Sequence, residues 1–303
     1  MNRIGLHAGY FRGTPYENDA VQMLHFVAMA GGHVLVLMPA HLRLLDRNQR
    51  ERDLFCSLLQ EYDVELIVGA GRSPEVSFAS PKPQYRQAGI ESAKDTMRLL
   101  YDFGVHKWEG LIYACWPERP DGILTAEAKK RVGQRSAACL KRLLPLARAY
   151  DITFGFEVVN RYEHYLMNTV QEGLTYTQWI DDPRAKLVLD VFHMNIEEDD
   201  MTQAIKDTVK ADQLMNFHIG EANRRVPGTA PSHLDWNGIF SALLASGYTG
   251  PITMEPFVVG GTAGAAQVSL WRDLREGKTM TDFLNDISIG IQFVQEHLQD
   301  LCR

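Results

Sequence analysis

The chain has 303 residues, 45% of them hydrophobic and 23% charged, and carries a formal net charge of -7. That length supports one large domain or two medium ones, and the negative balance argues against a nucleic-acid or anionic-membrane partner. No apolar run approaches the ~18 residues that span a bilayer. No basic segment leads into an apolar stretch at the start, so no secretory leader is expected. Four scattered cysteines, Cys56, Cys115, Cys139 and Cys302, lack CxxC spacing and read as reduced thiols of a cytoplasmic protein.

In chain order, short apolar runs alternate with longer segments of helical spacing. The runs predict strands at 4–10, 33–39, 65–71, 110–116, 153–159, 186–191, 214–219 and 251–257. The clearest helices are predicted at 84–103, 126–149, 235–246 and 281–298. The last carries Phe283, Ile287, Ile291, Val294 and Leu298 at steps of three and four. Gly104, Gly247 and Gly250 fall where helices should stop. Eight strands alternating with helices predict a parallel sheet, and the length fits a single closed (β/α)8 barrel over 1–303. No GxGxxG or GxxxxGK[ST] follows the first strand, which weakens a dinucleotide or nucleoside-triphosphate reading. No organic cofactor is expected.

Four strands end on a polar residue that breaks an apolar run. Glu157 stands in "TFGFEVVN", Asp190 in "KLVLDVFH", His218 in "LMNFHIGE" and Glu255 in "PITMEPF". Their separations of 33, 28 and 37 residues are each about one strand–helix unit. In such a barrel these positions share a level at the C-terminal face, where active sites lie. Burying one unpaired carboxylate costs several kcal/mol. Three together need a cation. One imidazole with three carboxylates predicts a divalent metal site, its oxygen-rich donors favouring Mn²⁺, Mg²⁺ or Co²⁺ over a thiolate-type zinc site. Further polar residues follow at short intervals: Glu163 after Glu157, His193 after Asp190 and Arg224 after His218. Arg224 lies in a loop whose backbone Pro227 and Gly228 restrain, and arginine suits the holding of several oxygens.

A metal flanked by two glutamates suits proton transfer beside a carbonyl. The ion polarises the carbonyl, and an acid and a base on opposite faces invert the carbon between them. "GFEVVNRYEHYLMNT", "LVLDVFHMNIEE", "FHIGEANRRVPG" and "ITMEPFV", with "WRDL" in the tail, resemble the ketose 3-epimerases of the xylose isomerase-like TIM-barrel superfamily, which act on D-tagatose, D-psicose and L-ribulose. The resemblance is close over residues 152–274. It implies Glu157, Asp190, His218 and Glu255 as metal ligands, and Glu157 with Glu255 as the pair trading the C3 proton. It implies Glu163, His193 and Arg224 as holders of O1 and O2, Mn²⁺ or Co²⁺ as the metal, and a homodimer or homotetramer. The first half departs: where the family places an aromatic side chain beside the substrate, "GLHAGYFRG" offers His7, Tyr10 or Phe11. Gly69 and Gly71 fit the family's small-residue loop after strand three, and Trp116 in "YACWPERP" is expected to wall the distal carbons.

Other readings start from the same site. One is an epimerase or aldose–ketose isomerase for a phosphorylated ketose, with Arg12, Arg72, Lys82 and Arg86 as candidate phosphate contacts. A metal-dependent phosphodiesterase would want more metals and more strand-end histidines. A non-catalytic sugar sensor would not need the two glutamates.

Overall fold

The computed structural model describes residues 2–301. Eight parallel strands close one barrel in the order of the chain. They are β1 Ile4–His7, β2 Val34–Leu37, β3 Glu65–Gly69, β4 Lys107–Gly110, β5 Thr153–Val158, β6 Ala185–Asp190, β7 Leu214–Ile219 and β8 Ile252–Met254. Almost every strand residue is buried, as expected of a parallel sheet covered by helices. No helix among the described residues is long and apolar enough to cross a membrane. Cys56, Cys115 and Cys139 are free thiols, and Cys302 lies outside the described residues.

The chain folds as two compact units. In residues 2–67 with 216–301, β1 lies between β2 and β8, Gly5 facing Val34 on one side and Thr253 on the other. A Cβ on Gly5 would stand 2.0 Å from the Val34 carbonyl oxygen, so this approach admits only glycine. Met280–Asp300 begins with a capping box between Thr279 and Asp282. It buries the predicted stripe of Phe283, Ile287, Ile291, Val294 and Leu298. In residues 68–215, β4, β5 and β6 run side by side, with Glu109 level with Gly155 and Glu157 level with Val188.

Four predicted elements differ most. The eighth strand, expected over 251–257, is Ile252–Met254 and stops just before Glu255. The first strand stops at His7, whose side chain accepts the Gly9 N–H and opens a 3-10 turn over Ala8–Phe11. The fourth strand is Lys107–Gly110, upstream of the run predicted for it. Gly110 takes φ +99° and leads the chain out of the sheet, and Leu111–Cys115 is buried as a loop. The helix expected over 126–149 is two, Ala126–Lys141 and Leu144–Ala149. Pro145 lacks the N–H that would continue the first helix.

Every helix-to-strand turn holds one residue in the left-handed region. In order these are Gly31, Asp63, Gly104, Asp151, Asp181, Asp212 and Gly247. Several aspartates also pair with a base at a strand start: Asp63 with Arg3 at 3.1 Å, Asp151 with Arg184 at 3.0 Å and Asp212 with Lys186 at 2.9 Å.

Candidate metal centre

In the unit of residues 68–215, Asp190 closes β6, is 0% exposed and caps the helix Val191–Glu197 by accepting the Phe192 N–H at 2.7 Å. It lies two residues beyond Val188, the register partner of Glu157. A step of two keeps both carboxylates on one face of the sheet. His193, on the first turn of that helix, places Nε2 3.7 Å from Glu157 Oε1 and Nδ1 3.9 Å from Glu163 Oε1. Glu163 Oε2 accepts the Trp116 indole N–H at 2.8 Å. Gly71 gives Trp116 its room, since a Cβ there would stand 3.0 Å from Trp116 Cβ. Gly71, Trp116, Glu163, His193 and Glu157 thus form one chain of contacts.

In the other unit, β7 sets His218 level with Thr253, and Glu255 lies two residues further, again on the same face. Glu255 is ringed by nitrogen: His7 Nδ1 at 3.5 Å, His218 Nδ1 at 3.6 Å and Arg224 Nη1 at 3.3 Å. Burial pushes the Glu255 carboxyl up, yet His7, His218 and Arg224 outweigh it and hold it well below the usual range. Arg224 has φ +67°, a left-handed conformation costing about 1–3 kcal/mol in a residue with a side chain. The turn is held by the Arg224 N–H on the Glu221 carbonyl at 2.7 Å and the Phe257 N–H on the Arg224 carbonyl at 2.9 Å. Its guanidinium lies 5.1 Å from the Phe257 ring centroid. Arg225 instead pairs with Glu276.

Glu157, Asp190, His218 and Glu255 are all buried, and each offers one ligand atom within 4.8 Å of the others'. Three buried carboxylates and an imidazole at that spacing fit a single divalent ion by donor chemistry.

The other expected residues divide. His7 lies against Glu255. Tyr10 and Phe11 are fully buried instead, with Tyr10 stacked on Phe283 and donating to its carbonyl at 2.6 Å. Arg72 spends its guanidinium on the carbonyls of Val76 at 2.8 Å and Gly89 at 2.6 Å. Arg86 donates to those of Ser80 and Pro81, and Lys82 sits over the Tyr85 ring. Arg12 reaches Gln267 Oε1 at 3.4 Å and Met38 Sδ at 3.5 Å.

Sequence reasoning missed Asn160, Asn216 and Phe257. Asn216 is fully buried, lies 3.2 Å from His218 Nε2 through its amide nitrogen, and accepts from Thr253 Oγ1 at 3.1 Å. Its signal was an amide inside an apolar strand, two residues before the histidine and therefore on the same face. Asn160 is also buried and contacts His193.

A family model described as "Xylose isomerase-like TIM barrel" matches residues 6–276. The chain is 39% identical over 274 residues to a D-psicose 3-epimerase of Ruminiclostridium cellulolyticum, covering 90% of each. It is 35% identical over 214 residues to an L-ribulose 3-epimerase of a Methylomonas species, covering 71% of this chain and 72% of that one. The solved D-psicose 3-epimerase of Clostridium cellulolyticum H10 with D-tagatose superposes with a TM-score of 0.89 at 30% identity, over 98% of this chain and 99% of that one. The chain therefore belongs to the xylose isomerase-like TIM barrel family and, within it, to the ketose 3-epimerases, carbohydrate epimerases of the isomerase class.

Proposed function

We propose that the chain inverts C3 of a free ketose through an enediolate, with one divalent ion held by Glu157, Asp190, His218 and Glu255. The observation carrying this reading is the convergence of those four buried ligand atoms within 4.8 Å. Mn²⁺ is the metal we assign, with Co²⁺ or Mg²⁺ able to replace it, and no organic cofactor is invoked. When bound, the ion supplies Lewis-acid polarisation of the carbonyl next to C3.

Glu157 and Glu255 are assigned as the acid–base pair, one taking the C3 proton and the other returning a proton on the opposite face. Glu163, His193 and Arg224 are assigned to O1 and O2 of the ketose, and Trp116, Gly71 and His7 to the rest of the sugar. Relatives named for D-psicose and L-ribulose support a free ketose. So does the engagement of Arg72 and Arg86 with backbone carbonyls, which removes two cations from any phosphate pocket. We also propose a cytoplasmic homo-oligomer, a dimer or tetramer. Light scattering would test the assembly.

The test is NMR of Mg²⁺-loaded protein with psicose, fructose, tagatose or ribulose in D2O. Deuterium at C3 together with the C3 epimer is expected. Label at C1 with an aldose product would make it an isomerase, and no exchange from metal-loaded protein would shift the assignment to a phosphorylated ketose.

A further inference from the structure

Asn160 follows β5 and is 2% exposed. Its amide has only one consistent orientation. The Tyr162 backbone N–H, which can only donate, meets Oδ1 at 2.9 Å, so the other end is the NH2. That NH2 lies 2.8 Å from His193 Nδ1, and the Asn160 backbone N–H lies 3.2 Å from the same nitrogen. Two donors converge on Nδ1, so it presents a lone pair and carries no proton. A neutral imidazole has one ring proton, which then resides on Nε2. Nε2 is the atom 3.7 Å from Glu157 Oε1.

We infer that Asn160 is a positioning residue that holds His193 as an Nε2–H donor facing Glu157. In that tautomer His193 gives a hydrogen bond on the Glu157 side and takes no proton there. The Asn160 carbonyl accepts the N–H of Glu163 at 3.0 Å and of His164 at 3.2 Å, so the turn presenting Glu163 is fixed to the same residue. One buried amide thus sets the hydrogen-bond polarity of the imidazole and the placement of a neighbouring carboxylate, much as outer partners orient metal-site histidines. The kinetic consequence rests on the epimerase reading; the tautomer does not.

Long-range ¹H–¹⁵N spectra of histidine-labelled, Mg²⁺-loaded protein test this, with the His193 signals assigned by their loss in His193→Gln. A protonated Nε2 and an unprotonated Nδ1 are expected. Asn160→Asp keeps an oxygen for Tyr162 but turns a second acceptor toward Nδ1. It should draw the ring proton to Nδ1 and lower kcat roughly tenfold or more, with circular dichroism and bound Mg²⁺ unchanged. Asn160→Ala leaves the backbone donor in place and should keep the Nε2–H pattern with a smaller loss. Wild-type protein with its proton on Nδ1 overturns the inference even if the Asp variant does not fold. So does an Asp variant with the wild-type pattern, or one whose pattern switches with kcat unchanged. Because the spectrum needs no turnover, failure of the epimerase assay leaves this test intact.

Discussion

Glu255 gathers two imidazoles and a guanidinium within 3.6 Å, while Glu157 has His193 within 3.7 Å. Replacing either glutamate by glutamine keeps the volume and removes the charge and the proton-transfer function. Both Glu157→Gln and Glu255→Gln are expected to lower kcat by about 10²–10⁴-fold, read as ketose interconversion with metal content checked. Full activity in Glu157→Gln would remove it from the acid–base pair. Trp116→Phe keeps most of the ring but loses the indole donor to Glu163. A hydrogen bond to a charged group is worth about 1.5–3 kcal/mol, so KM should rise about tenfold or more with kcat less affected, by initial-rate kinetics. At this scale the sequence was informative for one kind of residue. Glu157, Asp190, His218 and Glu255 each interrupt an apolar run, and a charge in such a run demands an explanation. Asn160 and Asn216 are neutral and leave a fainter mark, because an amide in an apolar run costs less to bury than a charge and its role shows only once its partners are placed.

Between β5 and the helix Val191–Glu197, Arg161 clamps Glu197 with guanidinium contacts of 2.6 and 2.8 Å and a backbone N–H at 2.7 Å. Burial raises the Glu197 carboxyl, but these Arg161 donors outweigh it and bring it below its ordinary value of 4.5. A depressed carboxylate contributes stability that is full above the unfolded value and is lost as pH falls through the folded one. Glu197→Gln should therefore melt below the wild type at pH 6, with the gap closing as pH drops below about 4.5. Melting curves from pH 6 to 3 check this; a gap that widens toward acid would refute it. Elements were legible where period and burial agreed, as in Met280–Asp300 with its apolar stripe. They were misread where burial came without pairing. "LIYAC" is apolar because it is buried as a loop, Tyr113 packing against Phe156 and Tyr176, whereas the true fourth strand, "KWEG", carries Lys107 and Glu109 and reads as polar.

For the molecule as a whole, eight strands in chain order put Glu157, Asp190 and His218 on β5, β6 and β7 and Glu255 one residue past the end of β8, and that periodicity made the barrel readable from the sequence. The offset was not readable. Asp190 stands two residues beyond the partner of Glu157, and Glu255 two beyond the partner of His218, because barrel strands are sheared past one another. With a divalent ion held as proposed, three carboxylates among the four donors would repel one another once it is removed. Metal at 100 times its Kd adds about 2.7 kcal/mol of stability, so chelation should lower Tm by several degrees and Mn²⁺ should restore it. An unchanged Tm in protein shown to have lost its metal would count against the four-residue site.

The left-handed aspartates in the helix-to-strand turns belong to the face that in such barrels governs stability rather than chemistry. Asp63, Asp151 and Asp212 trade local backbone strain against an ion pair, and glycine already performs the same turn at Gly31, Gly104 and Gly247. Heat tolerance and catalytic performance can therefore be adjusted by separate sets of mutations. A chain adapting to a warmer habitat could tighten these turns one at a time, and one adapting to a new sugar could remodel the opposite loops, with little interference between the two.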